Sequence, residues 1–220
     1  MSIKELEKRI KSVQSESTQG LHLFSSENRR AVFRELSRLP CQTSSSIGAH
    51  LNIEPRVAEW HLKKLHDVGL VEVWNEKKRF YFIPELVDFS DLPLFSLLNR
   101  KAVKYIIRYA VSGCSTVSDL KVPSSSFYKY AHELEQLDMI YISGTQRKYL
   151  CGTERLRKLV EKYEEKGINF KKYILKVIEI PGFNVRVAGI INNELKIEVR
   201  GLENFSMGVY ISPLQTAMEV

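Results

Sequence analysis

The chain of 220 residues is 44% hydrophobic and 27% charged, which is too apolar for a disordered protein and enough for one large or two small folded domains. No apolar run approaches the roughly 20 residues that span a bilayer, and the charged residues 1–20 lack the pattern of a signal peptide. These features exclude a membrane protein and predict an intracellular, cytoplasmic one. Its net charge of +7 favours an acidic partner, either nucleic acid or an anionic membrane surface.

The sequence contains no recognisable catalytic or metal-binding motif. Its five histidines form no HExxH pattern and no cluster with cysteine, and there is no glycine-rich phosphate loop or nucleophile elbow. The cysteines Cys41, Cys114 and Cys151 are odd in number and far apart, which predicts reduced thiols. We therefore expect a protein that is not an enzyme and that binds no metal or cofactor.

Residues 1–20 predict an N-terminal helical arm. Its apolar residues recur at alternating steps of three and four, as in the seam of a coiled coil: Ile3, Leu6, Ile10 and Val13. Such a helix either packs on its own domain or forms a short dimerisation seam, and both interpretations stay open because two heptads are marginally stable alone.

The segment 21–90 has the pattern of a winged helix domain, in which three helices precede a two-stranded hairpin. Ser26 supplies an N-cap before an amphipathic helix that Pro40 closes, and Thr43 or a neighbouring serine can cap a short second helix. The predicted inner face of this second helix is apolar: Ile47, Ala49 and Leu51.

The third helix of this domain is the best-defined element. Pro55 suits the first helical position, where its missing N–H costs nothing, and Gly69 suits the position after the helix end. The predicted inner face consists of Ala58, Leu62 and Leu65. The alternating residues 70–74 and 80–83 flank a basic turn and predict the two strands of the wing.

The segment 91–153 repeats this plan. The predicted elements are a helix over 94–112, a short helix over 116–120, a third helix from 124 to 137, and a hairpin of 139–142 and 149–150. The register that places Leu65 on Leu134 aligns the two halves without a gap from Leu51 to Glu85. Because one pattern is rarely misread twice at a constant offset, the sequence predicts a second winged helix domain.

The segment 154–220 predicts a connecting helix and a β-rich region. A charged helix runs from Glu154 to Lys166 and ends at Gly167, and residues 170–180 are ambiguous between helix and strand. Residues 183–191 and 195–199 predict a hairpin, and 208–211 a third strand. The fold class is thus mainly helical α+β: two tandem winged helix-turn-helix domains with an N-terminal arm and a small C-terminal β-rich appendage.

The third helix of the first domain is suited to reading DNA, because an α-helix fits the major groove and can offer its outer face to base edges. Its outward residues are Pro55, Arg56, Val57, Glu59, Trp60 and Lys63. Arg56 is suited to guanine O6 and N7, Glu59 to the amino group of cytosine, and Trp60, like Val57, to a thymine methyl group.

Four further groups are candidates for DNA contact. The first group is the outward side of the second domain's third helix: Ser124, Ser125, Ser126, Tyr128, Lys129 and His132. The second and third are the two wing tips, which carry Lys77, Lys78 and Arg79 in the first domain and Arg147 and Lys148 in the second. The fourth is the start of the first domain's second helix: Ser44, Ser45 and Ser46. Serines at helix starts either bind phosphates or merely cap, and basic wing tips either contact the DNA backbone or are solvated turns. The second domain's third helix equally suits dimerisation or partner binding.

The stretch from Leu51 to Val71 resembles the turn, recognition helix and first wing strand of ArsR-like regulators, most closely in His61–Leu65 and Gly69–Val71. The duplicated arrangement over residues 26–152 resembles archaeal transcription regulators with two tandem winged helix domains. The chain departs from the family at Glu54, Arg56 and Val57, where Ser or Thr is common, so the resemblance transfers no target sequence. It also lacks the family's clustered metal-sensing thiolates, so the resemblance implies DNA binding without metal sensing.

The sequence therefore predicts a transcription regulator that binds specific double-stranded DNA as a homodimer, with two recognition helices in successive major grooves. Its dimer contacts are expected from Ile3–Val13, from Leu156–Tyr163, or from both. The alternative is a tandem winged helix module that docks onto the transcription machinery, with a general transcription factor as partner and without DNA readout, because winged helices serve both roles.

Overall fold

The computed structural model describes residues 23–179, 183–201 and 204–218. The arm predicted over residues 1–20 lies outside these ranges. No helix of the described ranges is both long and apolar enough to cross a membrane.

The first helix-turn-helix unit begins with α1 (Glu27–Arg38) and α2 (Ser44–Leu51). Ser26 caps α1 by accepting a hydrogen bond from the Arg29 amide at 3.4 Å. Of the possible caps for α2, Thr43 is the one used, because its hydroxyl accepts from the Ser46 amide at 3.2 Å. The predicted inner face of α2 is partly wrong: Ile47 is buried, but Ala49 is exposed.

The third helix, α3 (Pro55–Asp67), starts at the proline that the sequence singles out. Gly69 follows its end with a φ of +74°, a conformation that favours glycine. The strands β1 (Glu72–Asn75) and β2 (Arg79–Phe82) then pair antiparallel as the predicted wing. Gln42, before α2, forms an isolated bridge with Tyr81 of β2 and so fixes the wing against the helices.

The next segment differs from its prediction in two elements. The single helix predicted over 94–112 is two helices, α4 (Leu92–Leu97) and α5 (Lys101–Val111), which follow a 3₁₀ turn at Phe89–Asp91. The predicted short helix over 116–120 is a two-residue strand, β3 (Ser115–Thr116), and a 3₁₀ turn at Val117–Asp119. Residues 98–100 and 115–119 contain no proline, so no local signal in the sequence indicated either difference.

The remaining elements of this segment follow the prediction. They are α6 (Ser124–Gln136), β4 (Ile140–Ser143) and β5 (Tyr149–Gly152). The strands form an antiparallel sheet in the order β3-β5-β4.

The register that places Leu65 on Leu134 also holds in the backbone. It maps α3 onto α6 residue for residue, since both helices have 13 residues. It maps Gly69 onto Asp138, which likewise has a positive φ of 56°. After each turn the next amide returns to the helix, from Leu70 to the Leu65 carbonyl at 3.0 Å and from Met139 to the Leu134 carbonyl at 2.9 Å.

The connecting helix α7 (Glu154–Ile178) is about twice as long as predicted, with 25 residues. Gly167 does not end it. This glycine is buried inside the helix, and a Cβ atom there would collide with the carbonyl oxygen of Ile211. The ambiguity over 170–180 is therefore resolved as helix up to Ile178.

A three-stranded antiparallel sheet follows, in the order β6 (Asn184–Ile191), β7 (Glu194–Arg200) and β8 (Phe205–Tyr210), and α8 (Pro213–Met218) closes the described chain. This sheet confirms the predicted hairpin and third strand. It packs β8 on α1, where the Tyr210 amide donates to the Ser37 hydroxyl at 3.0 Å. The buried apolar residues of all these units form one continuous core.

Two further sequence predictions are wrong. Leu156, Leu159 and Tyr163, predicted to form dimer contacts, are buried within their own chain. The thiols predicted to be reduced are only partly so: Cys114 and Cys151 form a disulfide, and Cys41 remains a buried free cysteine. Sequence spacing missed this pair because the sheet brings together residues that are 37 positions apart.

Candidate nucleic-acid interface

The outer face of α3 is open to solvent while its inner face is fully packed. Ala58, Leu62 and Leu65 are completely buried beneath the helix. All six predicted reading residues are exposed: Pro55, Arg56, Val57, Glu59, Trp60 and Lys63. The N-cap Glu54 makes no side-chain cap, so the first amides of α3 have no side-chain partner at that position. The accessible groups of this face are its side chains, because Pro55 has no N–H and the Val57 and Ala58 amides already donate to the Glu54 carbonyl oxygen.

Trp60 is the largest apolar group on this face and is 52% exposed. The Arg29 guanidinium of α1 lies over its ring, 5.4 Å from the centroid, and the His61 ring meets it edge-on at 4.8 Å. These two contacts restrict the rotation of the indole ring. Its apolar surface is therefore already oriented, and binding to it costs little side-chain entropy.

His61 belongs to the packed side of the helix and not to the reading side. It is buried, and its Nδ1 atom has no hydrogen-bond partner within the described part of the chain. Burial, with a smaller contribution from the Arg29 charge, lowers its pKa below the ordinary histidine value. A neutral, enclosed imidazole supports Trp60 and cannot reach DNA.

The wing places its basic tip beside α3. Lys77, Lys78 and Arg79 are all exposed, and the Arg79 guanidinium approaches the Glu59 carboxylate at 3.5 Å. This long, exposed ion pair competes with water, so it contributes little to stability. It does orient Glu59 and Arg79 on one surface, where a duplex would meet both.

The serines at the start of α2 are not equivalent. Ser45 is exposed and Ser44 is half-buried, so both hydroxyls can meet a phosphate. Ser46 is already engaged, because its hydroxyl donates to the Gln42 amide oxygen at 3.1 Å. Of the three predicted phosphate contacts, Ser46 is therefore structural.

A groove of about 370 Å³ joins the wing to the junction between α4 and α5. One wall holds Lys77 and Lys78 with one acidic residue, Glu76, and the other includes Asn99 and Arg100, so positive charges outnumber negative ones in the lining. Arg100 is exposed and was missed by the sequence analysis, because a continuous helix over 94–112 would make it an ordinary solvated position. The break at residues 98–100 turns it towards the basic wing instead.

The corresponding residues of the second unit are also accessible. Ser124, Ser125, Tyr128, Lys129, His132, Arg147 and Lys148 are exposed, and Ser126 is half-buried. The Lys148 ammonium lies over the Tyr128 ring at 5.0 Å. In the register that aligns α3 with α6, Lys148 and Tyr128 correspond to Arg79 and Glu59, so a cation–π contact here replaces an ion pair there. In both units the wing meets the long helix through the same two positions.

The described residues contain no group of three or more His, Cys, Asp or Glu side chains that could hold a metal ion. Among known protein families, a model described as a helix-turn-helix domain matches residues 24–73. No curated protein and no solved structure gives a significant match to the chain.

The fold and the exposed surface of α3 thus define a helix-turn-helix domain, the class to which DNA-binding regulators belong. The matched residues contain α1, α2, α3 and the start of β1, so the family model covers the outer face of α3 and not the wing tip, Arg100 or the second unit.

Proposed function

We propose that this protein is a sequence-specific, double-stranded DNA-binding transcription regulator that inserts α3 into the major groove. The observation that carries the proposal is the division of α3 into a fully buried apolar side and an exposed outer side within a helix-turn-helix domain. A recognition helix needs both, because packing fixes its orientation and exposure leaves its side chains free for base edges.

The contacts divide into readout and positioning. Arg56, Glu59 and Trp60 are the readout residues, with the roles that their chemistry suggests. Lys77, Lys78 and Arg100 line one basic groove and bind the phosphate backbone, which adds affinity but no base information.

The second unit is proposed as a second winged helix that follows the same duplex. The equal lengths of α3 and α6, the shared positive φ after each helix and the equivalent wing contacts support this duplication. α6 begins after Pro123 without a side-chain cap, which favours phosphate binding at its first amides.

The regulator is further proposed to act as a homodimer in the cytoplasm. Within the predicted contact over Leu156–Tyr163, the apolar side chains of Leu156, Leu159 and Tyr163 are buried in their own chain, so the seam predicted over Ile3–Val13 is the remaining candidate from the sequence.

Selection from a pool of random duplexes tests the proposal. We expect enrichment of a pseudo-palindromic site with half-sites about one or more helical turns apart, and affinity that falls steeply between about 50 and 200 mM salt as expected for several phosphate contacts. Binding that does not depend on salt, or a pool that shows no enrichment, would contradict sequence-specific DNA binding.

Protein docking is the second candidate, and the exposed aromatic rings of the two long helices favour it. Trp60 and Tyr128 are 52% and 47% exposed, and such residues often anchor protein interfaces. In that case Trp60→Ala would abolish capture of a purified general transcription factor, and random duplex would not compete with it.

A further inference from the structure

The disulfide between Cys114 and Cys151 lies across two neighbouring strands of the second unit. β3 pairs with β5 antiparallel through Ser115 and Leu150, so the next pair along this register is Cys114 and Cys151. On its other side Cys151 pairs with Tyr141 of β4. The bond therefore ties the short outer strand of the sheet to the central strand that leads out of the wing.

The two cysteine residues differ in exposure. Cys114 is exposed, whereas Cys151 is 3% exposed and packed in the sheet. A cavity of about 520 Å³ opens beside them, and Cys114 lines it. The volume lies within the range of small-molecule sites, which is about 300–1,000 Å³.

The lining of this cavity suits a small zwitterionic molecule. Val111 and Val160 supply apolar surface, while α7 supplies one positive charge, at Arg157, and two negative charges, at Glu161 and Glu164. Tyr141 of β4 completes the wall next to the disulfide. A low-molecular-weight thiol that carries both amino and carboxylate groups matches this lining.

We propose that Cys114 and Cys151 form a thiol–disulfide exchange site, with Cys114 as the sulfur that an external low-molecular-weight thiol attacks. This inference rests on the proposed function, because a DNA-binding regulator works where cellular thiols keep most cysteines reduced, and disulfides there are typically transient or redox-sensing. The rest of the chain supports a dedicated pair, since Cys41 is buried and burial, helped by the charge of Glu76, raises its pKa to about 12.

The exchange balances in two steps. The external thiolate forms a bond to the Cys114 sulfur, the Cys114–Cys151 bond breaks, and its electron pair leaves on Cys151, which takes a proton from water. A second external thiolate then attacks the outer sulfur of the mixed disulfide and releases Cys114 as a thiolate. Two external thiols are oxidised to one disulfide, and the protein disulfide is reduced to two thiols.

Reduction would loosen the second wing. Without the disulfide, β3 stays attached to β5 by the pairs Ser115–Leu150 and Thr116–Tyr149, beside the hydrogen bond from the Val117 amide to the Lys148 carbonyl at 2.9 Å. Lys148 is at the proposed DNA-contacting tip. A change in the redox state of the pair therefore affects the wing through β5, the strand that follows Lys148.

The test equilibrates the full chain in buffers of reduced and oxidised glutathione, followed by acid quench, alkylation and mass spectrometry of each cysteine. We expect Cys114 and Cys151 to change state together, with a midpoint within the ratios that glutathione buffers reach, while Cys41 stays unmodified in the folded protein. A pair that stays oxidised in excess reduced glutathione, or that stays reduced in excess oxidised glutathione, would overturn the proposal.

Two single variants identify the attacked sulfur. Cys151→Ser should accumulate one glutathione on Cys114, and Cys114→Ser should accumulate at least tenfold less on Cys151. Equal adducts on both would overturn the assignment to Cys114. The wild-type titration needs no variant, so a folding defect does not obscure the result.

Hydrogen exchange of the wild-type protein supplies a further readout. Reduction should speed exchange over residues 140–152 and leave residues 44–67 unchanged, and an unaltered 140–152 segment would refute the link to the wing. None of these measurements uses DNA. A failure to bind duplexes would therefore count against the proposed function alone, and a redox-inert pair against this inference alone.

Discussion

Single residues of the candidate interface differ in the part of a duplex that they are proposed to contact. Arg56 is exposed on the outer face of α3, whereas Lys78 is on the wing and lines the groove beside Arg100. A guanidinium that bonds a guanine contributes to one sequence, because other bases lack the same pair of acceptors. An ammonium near phosphates contributes equally to every sequence. Loss of the Arg56 side chain should therefore change the sequence preference of binding, whereas loss of the Lys78 side chain should lower the affinity for every sequence.

We predict that Arg56→Ala weakens binding to the selected site by about 1–3 kcal/mol and relaxes the preference at one base position. Lys78→Ala should instead weaken all duplexes similarly and lower the salt slope by about 1. Titrations of the selected site and of a scrambled duplex at several salt concentrations distinguish these effects.

The matched control is Arg186→Ala, which removes an exposed arginine from β6 of the C-terminal sheet. This variant should bind like the wild type. If Arg56→Ala and Lys78→Ala had equal effects on scrambled DNA, the assignment of readout to α3 would be wrong.

Residue-scale predictions from the sequence were accurate where a helix is long. The six residues that helical spacing placed on the outer face of α3 are all exposed, since 13 residues show the repeat several times. In the eight-residue α2 the same reasoning placed Ala49 inside, although it is exposed. A short helix has too few turns to define its inner face by spacing.

At the scale of elements, the connecting helix shows how packing overrides local preference. Glycine commonly follows a helix end, yet Gly167 lies within α7 and is buried against the chain that leads into α8. The absence of a side chain lets the Ile211 carbonyl approach the helix closely. The fold thus requires glycine here for close packing and not for a left-handed backbone conformation.

We predict that Gly167→Ala lowers the free energy of unfolding by about 1–2 kcal/mol, because the added methyl meets a backbone oxygen that cannot move without displacing α8. In an open helix the same change would stabilise by about 1 kcal/mol. Urea titration followed by circular dichroism measures the difference.

Ile168→Ala serves as the comparison, because Ile168 is the next residue of α7 and is 59% exposed. Its effect should stay within about 0.5 kcal/mol, as for other surface changes. A stabilised Gly167→Ala protein would show that the chain at Ile211, just before α8, does not pack closely at this position.

At the scale of the whole molecule, the C-terminal sheet is held on the first helix-turn-helix unit by a buried carboxylate. Glu194 begins β7 and is 6% exposed, and the Arg34 guanidinium of α1 donates to it at 2.6 Å. Lys196 adds a second contact at 2.7 Å. Burial by itself raises the pKa of Glu194, but the hydrogen bonds and charges of Arg34 and Lys196 together hold it below the ordinary value of 4.5.

We predict that Glu194→Gln destabilises the protein by about 1–2 kcal/mol at pH 7, less than the loss of one partner from a fully buried pair. The reason is that the side chain of Arg34 is 41% exposed and screened by water. A depressed carboxyl pKa contributes stability above the unfolded-state value, and this contribution is lost as the pH falls through the folded-state value.

The difference between wild type and Glu194→Gln should accordingly shrink as the pH is lowered from 7 to about 3, into and below the range where carboxylates titrate. Unfolding titrations across this interval check the trend, with Glu198→Gln, a more exposed position on the same strand, as a comparison. A difference that is constant with pH would mean that the Arg34–Glu194 pair does not anchor the sheet.

The sequence by itself determined the elements whose cause is local: the N-cap at Ser26, the proline start of α3, the glycine after it, the hairpins, and the repeat that aligns α3 with α6. It also determined the exposed face of α3, because one side of an amphipathic helix must pack. Tertiary structure alone decided the break before α5, the continuation of α7 through Gly167, the groove wall at Arg100 and the Cys114–Cys151 bond. These features depend on contacts between residues far apart in the chain, and no local periodicity records which distant residues will meet.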